Sequence, residues 1–403
     1  MLTFKKCVIL LKMNEEIIYL DHAATTPVSE KVLAAMLPYF SEKFYNPSAP
    51  YVQALEIRRD YEDAKHQIAQ NIGAKSDEIV ITAGATESIN LAFSAASKDN
   101  GDEILVGEFE HHAVLNSAKK YGIQKLVRIK KDSIIDLEDL RAKISPKTKI
   151  VSVMLANNET GVIQPISKIA EIVREERMRR LSNGEKTPIY LHSDASQGVG
   201  QLDISVARLG VDMLTLNAGK IYGPKQTGLL WANREIQFNA QIVGGGQERN
   251  LRSGTENVPS VIGFAKAIQL AEKHRKKENE RLRKLKELFK KTLSENFSNE
   301  EMIFLGNPKK QLASHISVSF PGIDAERMVF ALETQGVLVA TGSACAANKG
   351  TRSHTLTAMG LSDSEADGSL RISLGKLSNE ENIKRAAEII SRTVRAEFER
   401  IRK

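Results

Sequence analysis

Short apolar runs alternate with helical stretches from Glu78 onward, and this alternation constrains the fold more than any other feature. The runs have the length of strands, and the stretches between them have the 3.6-residue period of amphipathic helices. Strands that alternate with helices predict an α/β domain with a mostly parallel sheet. The runs are residues 79–82, 103–106, 149–155, 189–192, 213–216 and 228–231.

Other patterns flank this region. Helical periodicity precedes it at residues 30–39 and 51–72, and a long charged helix is predicted to follow at 257–297. The remaining elements, a strand at 315–320, a helix at 325–334, a strand at 369–373 and a helix from 379, predict a smaller C-terminal α+β domain. We therefore expect an N-terminal extension at 1–14, with Met13 as an alternative start, a large domain at 15–260 and a small domain at 261–403.

Composition excludes several classes of protein. The 57 basic and 50 acidic residues are interleaved, so the excess of +7 forms no basic patch for nucleic acid. No apolar segment approaches the roughly 20 residues of a membrane span. Cys7 and Cys345 are the only cysteines in the sequence, which excludes a disulfide framework and favours a reducing compartment, so we expect a cytoplasmic protein.

Polar residues follow three of the predicted strands, at the edge where open α/β sheets bind ligands. A Gly-Ala-Thr turn at 84–86 precedes a helix, where backbone N–H groups favour phosphate, although the same turn could simply begin the helix. Asp194 could hold a cationic partner such as a protonated pyridine nitrogen, or cap the next helix. Lys220 lies in a Gly-rich turn, where a desolvated neutral amine is nucleophilic, although most such lysines are surface residues.

The order of these motifs resembles the cysteine desulfurases of the NifS/IscS type, within the class-V aminotransferases and the fold-type-I pyridoxal-phosphate (PLP) enzymes. The resemblance runs from residues 19–27 (YLDHAATTP) to 370–375 (LRISLG). The motifs between them are GATES at 84–88, EHHAVL at 110–115, NNETG at 157–161, GGGQE at 244–248, RSGTEN at 252–257 and GSAC at 342–345.

The resemblance implies a role for each cofactor residue. Lys220 would hold PLP covalently through its amine and later shuttle protons, and Asp194 would keep the pyridine nitrogen protonated. His111 would stack on the ring and act as an acid or base, where the alternative is a helix-cap histidine. The other implied contacts are Asn158 and Gln197 to the ring hydroxyl, Ala85, Thr86 and Asn217 to the phosphate, and Thr255 to the phosphate of a second subunit in a homodimer.

Three further residues would act on the substrate, L-cysteine. Arg371 would clamp its carboxylate with Asn46 nearby, although an arginine in an apolar strand can instead form a structural ion pair. Cys345 would attack the substrate sulfur as a thiolate and carry it as a persulfide to an acceptor protein, for iron–sulfur clusters or for thiolation of tRNA or cofactors. The resemblance implies no metal site.

The sequence departs from the family in the turn before Lys220. Family members usually have Ser and His at the positions of Asn217 and Gly219, and both contact the phosphate, so their loss predicts weaker PLP retention. Two alternatives stay open. One is another PLP reaction, such as a selenocysteine lyase or aminotransferase, which would not explain Cys345; the other is a non-enzymatic scaffold, which would not explain Lys220 and Asp194.

Overall fold

A computed structural model of the chain describes residues 17–97, 99–342 and 352–402. These residues fall into two compact units. The larger unit contains residues 23–279 and 306–312, and the smaller unit contains the described parts of 1–22, 280–305 and 313–403. The domain limits at residues 14 and 260 stay a prediction.

The larger unit is built on a sheet that has seven strands among the described residues, in the order β2-β8-β7-β6-β5-β3-β4. All pairs are parallel except those of β8, which runs antiparallel to β2 and to β7. The α/β architecture with a mostly parallel sheet is therefore confirmed. Its strands are β2 (Ile79–Thr82), β3 (Glu103–Gly107), β4 (Ile123–Val127), β5 (Thr148–Ser152), β6 (Tyr190–Asp194), β7 (Met213–Asn217) and β8 (Gly228–Ala232).

Helices lie between these strands along the chain. Helix α4 shares a buried cluster with residues of the sheet that include Val106 and Met213, and helices on a parallel sheet explain why its strands are almost wholly apolar. The helices of the larger unit are α1 (Glu30–Met36), α2 (Pro38–Ser41), α3 (Val52–Ile72), α4 (Ala85–Phe93), α5 (His112–Tyr121), α6 (Leu137–Lys143), α7 (Ile166–Ser182) and α8 (Val206–Leu209).

Two predictions at this level were incomplete. The helix expected at 30–39 is divided into α1 and α2 at Pro38, which has no N–H to continue the first helix. Sequence patterns did not predict strand β4. It lies at the edge of the sheet, where its sequence Ile-Gln-Lys-Leu-Val includes polar residues that are partly exposed. Helix α9 (Val258–Ser294) agrees with the long helix predicted at 257–297, and its residues are divided between the two units after Asn279.

The smaller unit contains an antiparallel sheet in the order β12-β13-β10-β9 and a parallel pair of β1 with β11. Its C-terminal helix buries Ile383, Ala387, Ile390 and Val394 on one stripe. Its elements are β1 (Ile18–Tyr19), β9 (Ile303–Phe304), β10 (His315–Ser319), α10 (Ala325–Glu333), β11 (Val337–Leu338), β12 (Ala340–Thr341), α11 (His354–Ala358), α12 (Asp363–Asp367), β13 (Ser369–Ser373) and α13 (Glu380–Arg402). In the described part of the chain, no helix has both the length and the apolar character to cross a membrane.

Candidate active site

Six of the seven strands of the large sheet, all except β8, run in the same direction, so their C-terminal ends lie at one edge. Strands β3, β5, β6 and β7 are parallel neighbours, and β2 has the same direction because both β2 and β7 are antiparallel to β8. Open α/β sheets bind ligands at this edge. The predicted residues there are Ala85 and Thr86 after β2, His111 after β3, Asn158 after β5, Asp194 and Gln197 at the end of β6, and Asn217 and Lys220 at the end of β7.

Lys220 lies in a short 3₁₀ turn that begins directly after β7. The turn is fixed by Asn217, whose Oδ1 accepts a hydrogen bond from the Gly219 amide at 2.9 Å. Lys220 is half-buried, and its Nζ donates to the carbonyl oxygens of Ala23 and Ala24, both at 2.7 Å. These two carbonyls hold the amine at the sheet edge.

A segment near the N-terminus, residues 23–26, is bonded to the lysine turn. Thr26 donates to the Gly219 carbonyl from its amide at 3.1 Å and from its hydroxyl at 3.0 Å. Gln197 Nε2 donates to the Ala23 carbonyl at 3.0 Å, and this is one of the two carbonyls that Lys220 uses. Sequence reasoning assigned no role to residues 23–26, yet they bring Gln197 and Lys220 to one oxygen atom. The YLDHAATTP motif was the signal that could have indicated this role.

Asp194 is the last residue of β6, and it is 9% exposed. Its Oδ1 accepts a hydrogen bond from the Ser196 amide at 2.9 Å, which agrees with the capping alternative for this residue. The neighbouring Ser196 hydroxyl is buried without a hydrogen-bond partner among the described residues. Because a buried polar group without a partner is costly, this hydroxyl indicates that a polar group can be accommodated beside Asp194.

The N-terminus of α4 has the properties of an anion cradle. Gly84 precedes the helix with φ of 131°, a conformation that favours glycine, and it leaves the helix without a side-chain cap. Within the described chain, the amides of Ala85 and Thr86 have no acceptor. Free N–H groups and the helix dipole together favour a phosphate at this position.

His111 and Asn158 lie on neighbouring loops at the same edge. His111 is exposed and caps α5, since its Nδ1 accepts the Ala113 amide at 3.1 Å. The structure thus shows the cap that sequence reasoning held open as an alternative, and a neutral ring in this geometry carries its proton on Nε2. Asn158 is half-buried in the loop that follows β5. The roles of both residues remain predictions.

Arg371 lies on β13 of the smaller unit and is 3% exposed. Its Nη2 donates to Asp21 Oδ1 at 2.8 Å in an ion pair. Tyr19, whose hydroxyl donates to the Asp21 carbonyl at 2.8 Å, has its pKa raised to about 12 by burial and by the Asp21 carboxylate. This pair is the structural alternative that the sequence left open for Arg371, and its carboxylate-binding role stays a prediction.

Asn46 and Thr255 are exposed residues of the larger unit. Asn46 Oδ1 accepts the Ser48 amide at 2.9 Å in a local turn, and the role of Asn46 stays a prediction. Thr255 follows Arg252, whose Nε is 3.0 Å from Glu87 Oε1 in the first turn of α4. The 252–255 segment is therefore attached to the helix whose N-terminus forms the anion cradle. Cys345 lies outside the described residues.

Comparisons with known proteins show the family and the fold of this chain. The family model for class-V aminotransferases matches residues 18–386. A cysteine desulfurase IscS 1 from Archaeoglobus fulgidus is 39% identical over 379 residues, covering 92% of this chain and 95% of that protein. A cysteine desulfurase IscS from Dictyoglomus turgidum is 37% identical over 385 residues, covering 94% of each. A solved NifS-like protein superposes with a TM-score of 0.84 at 31% identity, over 94% of this chain and 100% of the other.

The fold and the residues at the sheet edge thus define an α/β enzyme, and the chain belongs to the class-V aminotransferase family. Within that family it falls in the NifS/IscS group of cysteine desulfurases, as its relatives show. A solved structure described as SspA in complex with cysteine also superposes, with a TM-score of 0.76 at 32% identity over 88% of this chain and 98% of that one.

Proposed function

We propose that this chain is a cysteine desulfurase, which converts L-cysteine to L-alanine with PLP held on Lys220. The observation that carries the proposal is the meeting, at one sheet edge, of the Lys220 amine, the Asp194 carboxylate and the open amides of α4. The names of the relatives support the reaction, and the complex of SspA with cysteine supports the substrate.

The chemistry of these groups fits PLP. The cofactor has an aldehyde, a basic ring nitrogen and a phosphate, and the edge offers an amine, an anion and a helix N-terminus. The buried Ser196 hydroxyl, which lacks a partner in the described part of the chain, fits an additional polar group beside Asp194. The departure at Asn217 and Gly219 leaves fewer side-chain donors in the turn, because Gly219 has no side chain and Asn217 offers only its Nδ2 as a donor, while its Oδ1 accepts the Gly219 amide.

Each residue then has a defined task. Bound PLP supplies an electron-withdrawing ring that stabilises negative charge at the α-carbon of an amino acid. Asp194 holds a proton at the ring nitrogen, and Lys220 anchors the cofactor and moves the α-proton. The amides of Ala85 and Thr86 bind the phosphate, with Asn217 in the adjoining turn. His111 covers the ring, and Asn158 and Gln197 orient it through its hydroxyl.

Three further residues act on the substrate in this proposal. The planar guanidinium of Arg371 binds the carboxylate of cysteine, and Asn46 assists it. The Cys345 thiolate takes the sulfur of the substrate and becomes a persulfide, and the substrate is released as alanine after its carbon is protonated. The persulfide sulfur then passes to an acceptor protein, for iron–sulfur cluster assembly or for thiolation of tRNA or cofactors.

The proposal includes a homodimer in the cytoplasm. Thr255 is exposed and lies on a segment fixed to α4 by the Arg252–Glu87 ion pair, which suits a residue that reaches the phosphate of a second subunit. The cysteine usage supports the reducing compartment. Sedimentation of the purified protein tests the dimer, and a monomer at working concentration would contradict it.

The decisive test of the reaction is cysteine-dependent alanine formation in wild type and in Cys345→Ala. Loss of the sulfur nucleophile should lower the rate by at least about 10²-fold, because no other group replaces it. Cys7→Ala is the matched control, since these are the 2 cysteines of the sequence, and it should retain the wild-type rate. Undiminished alanine formation in Cys345→Ala would show that Cys345 has another role and would favour a different PLP reaction.

A further inference from the structure

Glu110 connects two loops at the candidate active site. It directly precedes His111, it is 0% exposed, and its Oε1 accepts the amide of Met154 at 2.6 Å. Strand β3 leaves the sheet at Gly107, and the last register pair with β5 is Val106 with Ser152. Met154 lies beyond that pair, so the Glu110 carboxyl supplies the acceptor that β3 no longer offers.

Asn157 makes the reciprocal connection. It directly precedes Asn158, it is 0% exposed, and its Nδ2 donates to the Phe109 carbonyl at 3.1 Å. Its Oδ1 accepts the amides of Glu159 at 2.9 Å and Thr160 at 2.8 Å, which fixes the loop after β5. The side chains of Glu110 and Asn157 therefore bond the His111 loop and the Asn158 loop to each other in both directions.

The same stretch of chain also leads to Asp194. Leu155, the neighbour of Met154, donates its amide to the Asp194 carbonyl at 2.9 Å. The consecutive amides of Met154 and Leu155, just beyond β5, thus bond to Glu110 on one side and to Asp194 on the other. A shift of the Glu110 side chain would move the His111 loop relative to the Asp194 carboxylate.

We propose that Glu110 and Asn157 are positioning residues, which lock the loops of His111 and Asn158 at the spacing that the cofactor ring requires. This inference rests on the proposed function, because the ring is what the spacing serves. Neither side chain touches the reacting atoms in the proposal. Their function is to hold His111 and Asn158 in a preorganised arrangement.

Glu110 is suited to this task in its uncharged form. Burial raises the pKa of Glu110 well above its ordinary value, and the Asp194 carboxylate raises it further, although the Met154 amide lowers it. An uncharged Glu110 leaves Asp194 as the anion that faces the ring nitrogen. Glutamine has the same shape, carries no charge and still accepts an N–H, so it should replace Glu110 with little effect.

The experiment compares Glu110→Gln, Glu110→Met and Asn157→Asp by PLP titration and by visible circular dichroism of the bound cofactor. Glu110→Met removes the acceptor, and Asn157→Asp removes the donor to Phe109 but keeps an oxygen for Glu159 and Thr160. Both should weaken PLP affinity by about tenfold, the typical value of one buried hydrogen bond, and should alter the dichroic band. Glu110→Gln should remain within about twofold of wild type.

Glu108→Met is the matched control. Glu108 Oε1 also accepts one backbone amide, that of Ile129 at 2.9 Å, but this amide belongs to the segment after β4. Glu108→Met should lower stability without a change in PLP affinity or in the dichroic band. If Glu110→Met and Asn157→Asp behave like this control, the two residues are structural only and the inference is wrong.

Hydrogen exchange of the Met154 amide in the apoprotein supplies an independent reading. The amide should exchange slowly in wild type and in Glu110→Gln, and at least about tenfold faster in Glu110→Met. Equal protection of the Met154 amide in all three proteins would contradict the positioning role of Glu110, and this measurement needs no PLP. A wild-type protein that binds no PLP but shows this protection pattern would instead contradict the proposed function.

Discussion

Lys220 and Arg371 are both cations at buried strands, and the structure gives them different partners. Lys220 in the larger unit is half-buried and donates to the backbone carbonyls of Ala23 and Ala24. Arg371 in the smaller unit is 3% exposed and is bonded to the carboxylate of Asp21. Hydrogen bonds to two carbonyl oxygens fix the position of the Lys220 amine, whereas a guanidinium paired with a carboxylate in a buried site is costly to separate from its partner. The difference suits a nucleophile in one region and a fixed clamp in the other.

Replacement of Lys220 should have the largest effect. Lys220→Ala removes both the anchoring amine and the proton carrier, so alanine formation should fall by at least about 10³-fold. Lys225→Gln is the control, since Lys225 Nζ also donates to a nearby carbonyl, that of Thr26 at 3.1 Å. The control should stay within about tenfold of wild type. Equal losses of alanine formation in both variants would contradict a specific role for the Lys220 amine.

Arg371 is tested by separating its two possible tasks. Arg371→Lys keeps the charge but loses the planar fork, so KM for cysteine should rise roughly 10–100-fold, as expected for a charged hydrogen bond of about 1.5–3 kcal/mol. Asp21→Asn should lower the free energy of unfolding by about 3 kcal/mol, because it leaves the guanidinium without its carboxylate. An unchanged KM in Arg371→Lys, together with lower stability, would show that Arg371 is only a structural partner of Asp21.

The larger unit should also lose stability in acid, because it contains the buried histidine His192. Burial lowers the pKa of His192 from 6.5 to about 3, while its ring contacts Ser152 Oγ at 2.8 Å and Thr215 Oγ1 at 2.9 Å. Because the unfolded chain binds this proton and the folded chain does not, stability present above pH 6.5 is lost as pH falls toward 3.

The matching measurement is the free energy of unfolding from pH 7 to 4.5 in wild type and in His192→Gln. The variant should show a shallower decline, by roughly 2 kcal/mol over this range. His274→Gln, a substitution of an exposed histidine, should decline as wild type does. If the free energy of unfolding declines equally in all three proteins, burial does not keep His192 neutral.

The smallest expected effect concerns the turn before Lys220. In the double variant Asn217→Ser with Gly219→His, the turn carries the two side-chain donors that family members usually have there, and PLP affinity should rise by about tenfold. A Cβ at Gly219 would meet Asn217 Oδ1 at 3.3 Å, a tight contact that Asn217→Ser removes, and Lys225 Cγ at 3.8 Å. Titration of the apoprotein with PLP measures the change. Unaltered affinity would show that other groups already compensate.

Much of this fold could be predicted because its strands are buried on both faces and form continuous apolar runs, as in β2, β7 and β8. The direction of those strands then placed Asp194 and Lys220 at one edge. Strand β4 was missed because its exposed position at the sheet edge tolerates polar residues. Local pattern is informative only where the environment of a strand is uniform.

The contacts that define the site could not be predicted in the same way. Lys220 and Ala23 are 197 residues apart, and Arg371 and Asp21 are 350 residues apart, so no local period encodes such pairs. The Glu110–Met154 bond likewise depends on where β3 leaves the sheet, which only the assembled sheet determines. Motif order indicated which residues matter, and the tertiary structure showed what holds them.

The most direct test is reduction of the PLP-loaded wild-type protein with borohydride, followed by mass spectrometry of its peptides. We predict a pyridoxyl group fixed on Lys220, with no labelling of Lys225 and none in Lys220→Ala. A protein that takes up no PLP, or a label that remains in Lys220→Ala, would contradict the central claim that this amine condenses with the cofactor.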